Sequence, residues 1–270
     1  SPDTFRGLLP ALFPRIGEGV VEGVANLSEW YFEKFVADES SIEGLFEDYD
    51  QPNTRVTHMT VDHELPLTFW RSVGHSYTAF AKESMIDELA QAAGMDEVSF
   101  RLQNTQHSPR LHNVIQVAGE RMANMSVPAG HHLGFAAHHS FRTDVAEIAE
   151  VSVAKGKIRV HKVTCVLDCG QAVNPDIVRS QMEGGVIYGL TAALYGGLNL
   201  EDGAIKESNF HDYPMLRMNE SPDIEVVVID SGTKPTGVGE PGLPPIAPAV
   251  ANAVYKATGQ RLRSLPLQLA

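Results

Sequence analysis

Apolar positions change their spacing along this chain, and the changes divide it into a helical first part and a mixed second part. Residues 1–50 lean towards helix and are rich in aromatics and acids, among them Trp30, Tyr31, Phe32 and Phe35. A polar, proline-containing stretch follows at 51–54, and weak alternation over 56–62 reads as a strand. The hexapeptide Trp70-Arg71-Ser72-Val73-Gly74-His75 has loop character and opens a helix over 77–93. In that helix Phe80, Ser84, Ile86, Leu89 and Ala93 recur near the 3.6-residue period, and Gly94 stops it. Asp96 is an N-cap for a short helix through Leu102, and Ser108-Pro109 supplies a cap and first-turn proline for a third helix to about Met125.

After Pro128 β-formers dominate. Residues 145–153 and 158–166 flank Ala154-Lys155-Gly156-Lys157, the pattern of a hairpin with a glycine turn. Asp168-Cys169-Gly170 ends the second strand, Asn174-Pro175 breaks the chain, and a long helix runs over 176–195. That helix contains Gly184, Gly185 and Gly189, each costing roughly 1 kcal/mol in an exposed helix, so close packing against the backbone is expected there. A turn at Glu201-Asp202-Gly203, a strand over 224–229, a glycine-proline loop over 237–245 and a last helix over 247–258 complete the chain. Helices and strands interleave without regular βαβ spacing, and the hairpin requires antiparallel pairing. The fold class is α+β, with mixed or antiparallel sheets and packed helices.

Charge narrows the partners. The 270 residues include 21 Lys+Arg and 34 Asp+Glu, giving a net charge of −13, against binding of a nucleic-acid backbone. No stretch reaches the roughly 18 uninterrupted apolar residues of a membrane span. The two cysteines, Cys165 and Cys169, fit neither a disulfide framework nor a CxxC motif and read as buried thiols. The chain opens at Ser1 without Met, as expected of a processed product or a piece of something longer.

Three segments have the makings of a site. In Gly237-Val238-Gly239-Glu240-Pro241-Gly242-Leu243-Pro244-Pro245, glycines allow close approach and prolines stiffen the remainder around one ionisable side chain, Glu240. A fixed carboxylate beside a ligand-sized gap is what a general base requires. The helix beyond would add about 0.3–1 kcal/mol through its dipole. The same loop also reads as a structural turn whose Glu caps that helix. In Arg179-Ser180-Gln181-Met182-Glu183-Gly184-Gly185, Gln181 and Gly185 share a helix face, pairing an amide with bare backbone in a geometry suited to a flat heteroaromatic cofactor. A solvated Gln and helix-packing glycines are the plainer alternative. In residues 70–75, Arg71 has the fork to bind a phosphate or carbonyl bidentately, Trp70 the surface to line an apolar pocket, and Gly74 the room for close backbone approach. A surface cation–π pair is the simpler account. His131, His132, His138 and His139 sit on one strand with its ends far apart, which argues against a mononuclear metal site. No metal-ligating residues are assigned.

Taken in order, Phe69-Trp70-Arg71-Ser72-Val73-Gly74-His75, Asp168-Cys169-Gly170 with Asn174-Pro175, Gln181-Met182-Glu183-Gly184-Gly185, Ser208-Asn209-Phe210-His211-Asp212-Tyr213 and residues 237–249 resemble the C-terminal part of the molybdopterin-binding large subunit of the xanthine oxidase family. The likeness runs from about Trp70 to Leu267 and is nearest to isoquinoline oxidoreductase and aldehyde oxidoreductase-like large subunits. It implies a molybdenum hydroxylase that oxidises an aldehyde or an N-heterocycle carbon with oxygen from water. The implied cofactor is molybdopterin cytosine dinucleotide with Mo, with [2Fe–2S] clusters on a small partner subunit. Residue by residue, the resemblance makes Glu240 the base that deprotonates the molybdenum-bound hydroxyl. It makes Gln181 a pterin contact, and places Arg71, Trp70 and Gly239 beside the cofactor. Residues 69–270 become the C-terminal portion of the cofactor-binding domain. Residues 1–68 become a helix-leaning segment continuing from an N-terminal part, carried on a separate chain or cleaved from a common precursor. Two rivals stand beside this reading: a non-catalytic scaffold that binds no molybdenum, and a metal-free isomerase using Glu240.

Overall fold

A computed structural model describes residues 39–45, 48–59 and 68–269, together with residues 20, 21, 23 and 24. The helix-leaning reading of 1–50 therefore lies mostly outside the described residues, as do positions 60–62 of the expected 56–62 strand. Its described part, 56–59, is irregular.

The first helices form where their punctuation places them. Helix α1 spans His75–Ala92, α2 Glu97–Gln103 and α3 Pro109–Ala123. The Asp96 carboxylate caps α2 by accepting from the Val98 and Ser99 amides at 3.1 and 2.9 Å. Ser108 makes no side-chain cap bond, so α3 starts on the fixed φ of Pro109 instead.

Strands β1 (His131–Ser140), β2 (Thr143–Ala154) and β3 (Lys157–Asp168) form an antiparallel meander. Both of its turns have two residues at positive φ: Lys155 and Gly156, as expected, and Phe141 and Arg142. The turn at Phe141 contains no glycine, so the sequence does not mark β1 and β2 as a hairpin. Helix α4 (Pro175–Tyr195) leads on to a two-residue ribbon, β4 (Leu200–Glu201) with β5 (Ala204–Ile205). The crossover ends in β6 (Asp223–Ile229), which lies parallel to β3 and completes the order β1-β2-β3-β6. Helix α5 (Ile246–Thr258) ends the fold at Gly259, φ +75°. The α+β architecture is as the sequence indicates.

The sheet is covered on both faces, which explains its long apolar runs. Leu111, Val114, Ile115 and Ala118 of α3 pack on Phe135, Ala137, Ala146, Ile148 and Val166. On the opposite face Ala136, Ala149, Val151 and Val163 meet Val186 and Leu190 of α4 and most of α5. Nearer the strand ends, Val145, Cys165 and Leu167 pack on Val178 and Met182 of α4. Helix α5 lies against bare backbone at Gly134, where an added Cβ would stand 2.0 Å from Ala249 O and 2.3 Å from Ala253 N.

Buried polar groups fasten α1 to this core. Glu83, wholly inaccessible, accepts from Tyr49 Oη at 2.6 Å, Arg101 Nε at 2.9 Å and the Ala137 amide at 2.9 Å. Beneath the start of α1, His75 Nδ1 and His138 Nε2 lie 2.9 Å apart, next to the buried Lys82–Asp48 pair. Burial first, then His138, pushes the His75 imidazole down to about 4, so it is neutral at pH 7. Gly134→Ala should cost about 3 kcal/mol or more, because the nearest atoms are backbone and cannot rotate away. Urea unfolding of the chain measures this, and an unchanged midpoint would refute the close α5–β1 contact.

Candidate cofactor site at the meeting of two loops

Two loops distant in sequence meet on α4. The first, residues 70–74, turns sharply into α1. Val73 N donates to Trp70 O at 2.9 Å, and both Ser72 and Val73 have positive φ, +73° and +46°. A β-branched residue there is unusual and marks stored strain. Gly74 is required by space, since a Cβ would stand 2.0 Å from Ser40 O.

The second loop, 237–245, is tied down from the β1–β2 turn. Gly237 N donates to Phe141 O at 3.3 Å, and Thr143 Oγ1 donates to Gly237 O at 2.7 Å. It then lies directly on α4: a Cβ on Gly185 would come within 3.0 Å of Gly242 C, and one on Gly242 within 3.0 Å of Met182 Sδ. A Cβ on Gly189 would stand 2.5 Å from Ile246 Cγ2. Close packing thus accounts for Gly185 and Gly189. Gly184 differs, being exposed, with Arg71 Nη1 at 3.9 Å as the nearest atom to its would-be Cβ.

Arg71 joins the two loops to the helix. Its Nε donates to Gly239 O at 2.9 Å, and its Nη2 reaches the same carbonyl. Nη2 also lies 3.3 Å from both Gln181 O and Gln181 Oε1. The guanidinium sits 5.9 Å from the Tyr188 ring centroid, and the Trp70 and Tyr188 rings are 5.0 Å apart. Arg71 thus makes both a bond to a backbone carbonyl and a cation–π contact with Tyr188.

Glu240 is half-buried, and its Oε2 accepts from the Ser72 amide at 2.8 Å. Ser72 Oγ returns a bond to Glu240 O, also 2.8 Å. The bond on the carboxylate thus comes from the opposing loop rather than from the amides of α5, which begins only at Ile246, beyond the reach expected of a dipole effect.

All five residues singled out in the sequence, Trp70, Arg71, Gln181, Gly239 and Glu240, therefore come together. Ser72 and Tyr188 join them, although sequence reasoning does not single them out. Tyr188 was detectable, standing seven residues after Gln181 on the same helix face; nothing in the residue type of Ser72 signals its contacts. A cavity of about 760 Å³ begins at Trp70 and runs along Glu183, Gly184, Ile187 and Tyr188 to Met215 and Leu216. It touches the cluster at Trp70 and Tyr188 and is not lined by Glu240.

The remaining motif residues hold structure. Asn174 Oδ1 caps α4 through the amides of Asp176 and Ile177. Asp168 accepts from Arg110, Gly170 N and Ser231. Asp212 gathers Ser208 and Asn209, whose amides hold its carboxyl down to about 2. His131 pairs with Glu150 and His139 with Asp144. Among the described residues no group of three His, Cys, Asp or Glu side chains is placed to hold a metal ion. The cluster offers hydrogen-bonding groups and open glycine faces, with nothing within 4 Å of a would-be Cβ on Gly239. That donor set suits an organic cofactor bringing its own metal.

The fold matches that of a solved oxidoreductase. The chain superposes on the aldehyde oxidoreductase of Desulfovibrio desulfuricans with a TM-score of 0.61 and 17% identity, covering 73% of this chain and 40% of that one. The molybdopterin cofactor-binding domain family matches residues 68–222, and a second family of the same description matches 28–105. The chain belongs to the molybdopterin cofactor-binding domain family. It is 35% identical over 254 residues to the beta chain of isoquinoline 1-oxidoreductase from Brevundimonas diminuta, covering 92% of this chain and 32% of that protein. It is 32% identical over 270 residues to one of the subunits of nicotinate dehydrogenase from Pseudomonas putida, covering 92% of this chain and 22% of that one. The chain thus spans a third or less of these relatives' length.

Arg71→Lys should destabilise the chain by about 1–3 kcal/mol, because an ammonium lacks the fork that spans Gly239 O and Gln181. Urea unfolding reads the loss, and a wild-type midpoint would mean that the clamp contributes nothing.

Proposed function

We propose that this chain is the C-terminal, base-supplying portion of a molybdenum hydroxylase of the xanthine oxidase family. The substrate is an aldehyde or an electron-poor carbon of an N-heterocycle. Its carbon exchanges hydrogen for a water-derived hydroxyl and gives up two electrons. The observation that carries this reading is the Glu240 carboxylate, half-buried and fixed by Ser72 beside the Arg71–Gln181 pair.

Bound molybdopterin, in its cytosine dinucleotide form, supplies the metal that accepts the electron pair. The chain's residues do the rest. Gln181, exposed at the surface of α4, hydrogen-bonds the pterin, while Gly184 and Gly239 present open backbone to it. Arg71 holds Gly239 O and Gln181 in fixed relation, and the Trp70–Tyr188 pair walls the adjoining side. With Oε2 engaged by the Ser72 amide, Glu240 Oε1 takes the proton from the hydroxyl that attacks the substrate carbon.

The cofactor cage is completed by an N-terminal portion, on a separate chain or cleaved from the same precursor. A small partner subunit carrying [2Fe–2S] clusters would take the electrons onward. Both relatives are named as parts of multi-subunit enzymes, and this chain spans only a fraction of each, which supports both partners. No helix of the described residues is long and apolar enough to cross a membrane.

The test is steady-state turnover of the assembled, molybdenum-loaded protein with Glu240→Gln. Loss of the base should lower kcat about 10²–10⁴-fold at unchanged molybdenum content. Wild-type turnover in the loaded variant would remove Glu240 from this role.

A further inference from the structure

Ser72 is buried and touches Glu240 twice across a sequence gap of 168 residues. One contact is made by its backbone and one by its side chain, and the two grip opposite ends of the same residue. The amide fixes Oε2 of the carboxylate, and the hydroxyl fixes the main-chain carbonyl, which also accepts from Leu243 N at 3.1 Å. Arg71 holds the preceding carbonyl, Gly239 O. Successive residues of the first loop thus grip successive residues of the second, leaving the Glu240 side chain closed in a ring between its own backbone and Ser72. Only one carboxylate oxygen remains outside that ring.

The backbone of Ser72 is strained to make these contacts. A φ of +73° at a non-glycine residue, followed by +46° at Val73, lies in a sparsely populated region for both side chains. Glycine would relieve that strain at Ser72 but could not supply the hydroxyl. Strain of this kind persists where surrounding bonds over-determine the conformation, and here Ser72 makes two of those bonds to Glu240.

We infer that Ser72 is a positioning residue for Glu240. Its hydroxyl sets the carbonyl end and its amide the carboxylate end, so that Oε1 meets the reacting proton without a conformational search. This rests on the reading of Glu240 as the base. A carboxylate with a single accessible orientation reacts more often than one that samples several, so the contribution falls on turnover rather than on substrate affinity.

Two measurements test the inference, one of them without cofactor. In the 270-residue chain, amide hydrogen exchange at Ser72 should accelerate at least about tenfold in Glu240→Ala, which removes the acceptor. In Glu240→Gln, whose amide oxygen still accepts, exchange should stay near wild type. Equal exchange in all three proteins would overturn the clamp. In the assembled, molybdenum-loaded protein, Ser72→Ala and Ser72→Gly both delete the hydroxyl, the second also relieving the strained φ. Each should lower kcat about tenfold, with KM within about twofold and molybdenum content unchanged, as expected for one hydrogen bond acting on orientation. Wild-type kcat in both, or a loss confined to KM or cofactor content, would overturn the positioning role. Should Glu240→Gln turn over normally while the exchange pattern holds, the clamp stands and the base assignment falls.

Discussion

The site depends on one arginine reaching across 168 residues to a carbonyl. The bond from Arg71 to Gly239 O joins the loop before α1 to the loop before α5, and the same guanidinium touches Gln181 on α4. Hydrogen bonds to a charged donor contribute about 1.5–3 kcal/mol, more than neutral ones, and the planar fork also dictates direction. Glycine packing already sets the Glu240 loop on the helix that carries Gln181, and this link adds a directed bond between them. With it, the proposed base, the amide and the open glycine backbone share one rigid corner.

Glycine makes the corner possible by letting backbones touch. Gly185 meets Gly242, Gly74 meets Ser40 O, and Gly134 meets the backbone of α5. Each contact removes the volume of a side chain between two elements, and together they bring the loops close enough for the bonds of Arg71 and Ser72. The fully satisfied Glu83 and the buried His75–His138 pair secure α1 behind the first loop. They anchor the helix that the Arg71 loop leads into and stand outside the proposed chemistry.

Much of this was legible in the residues. Periodicity, caps and glycine stops locate the helices within a few positions, because these signals act locally. The β1–β2 hairpin was hidden, since Phe141 and Arg142 adopt positive φ without glycine, held there by two long strands paired on either side of them. The site residues were legible as separate oddities, a charged side chain in a rigid loop and glycines in a helix, and their ordered resemblance to a known family joined them. Their contacts were not legible. Nothing in the residue order says that Arg71 would reach the carbonyl of Gly239, or that the hydroxyl of Ser72 would find Glu240 O. Both bonds depend on loop geometry fixed by the packing of α4 and α5.

The most direct test is the structure of the assembled protein with its molybdenum cofactor bound. The pterin should lie within hydrogen-bonding distance of Gln181, and the Glu240 carboxylate should face the metal while Ser72 still holds Oε2. A cofactor seated away from both residues, for example along the groove between Tyr188 and Leu216, would contradict the assignment of this corner as the cofactor site.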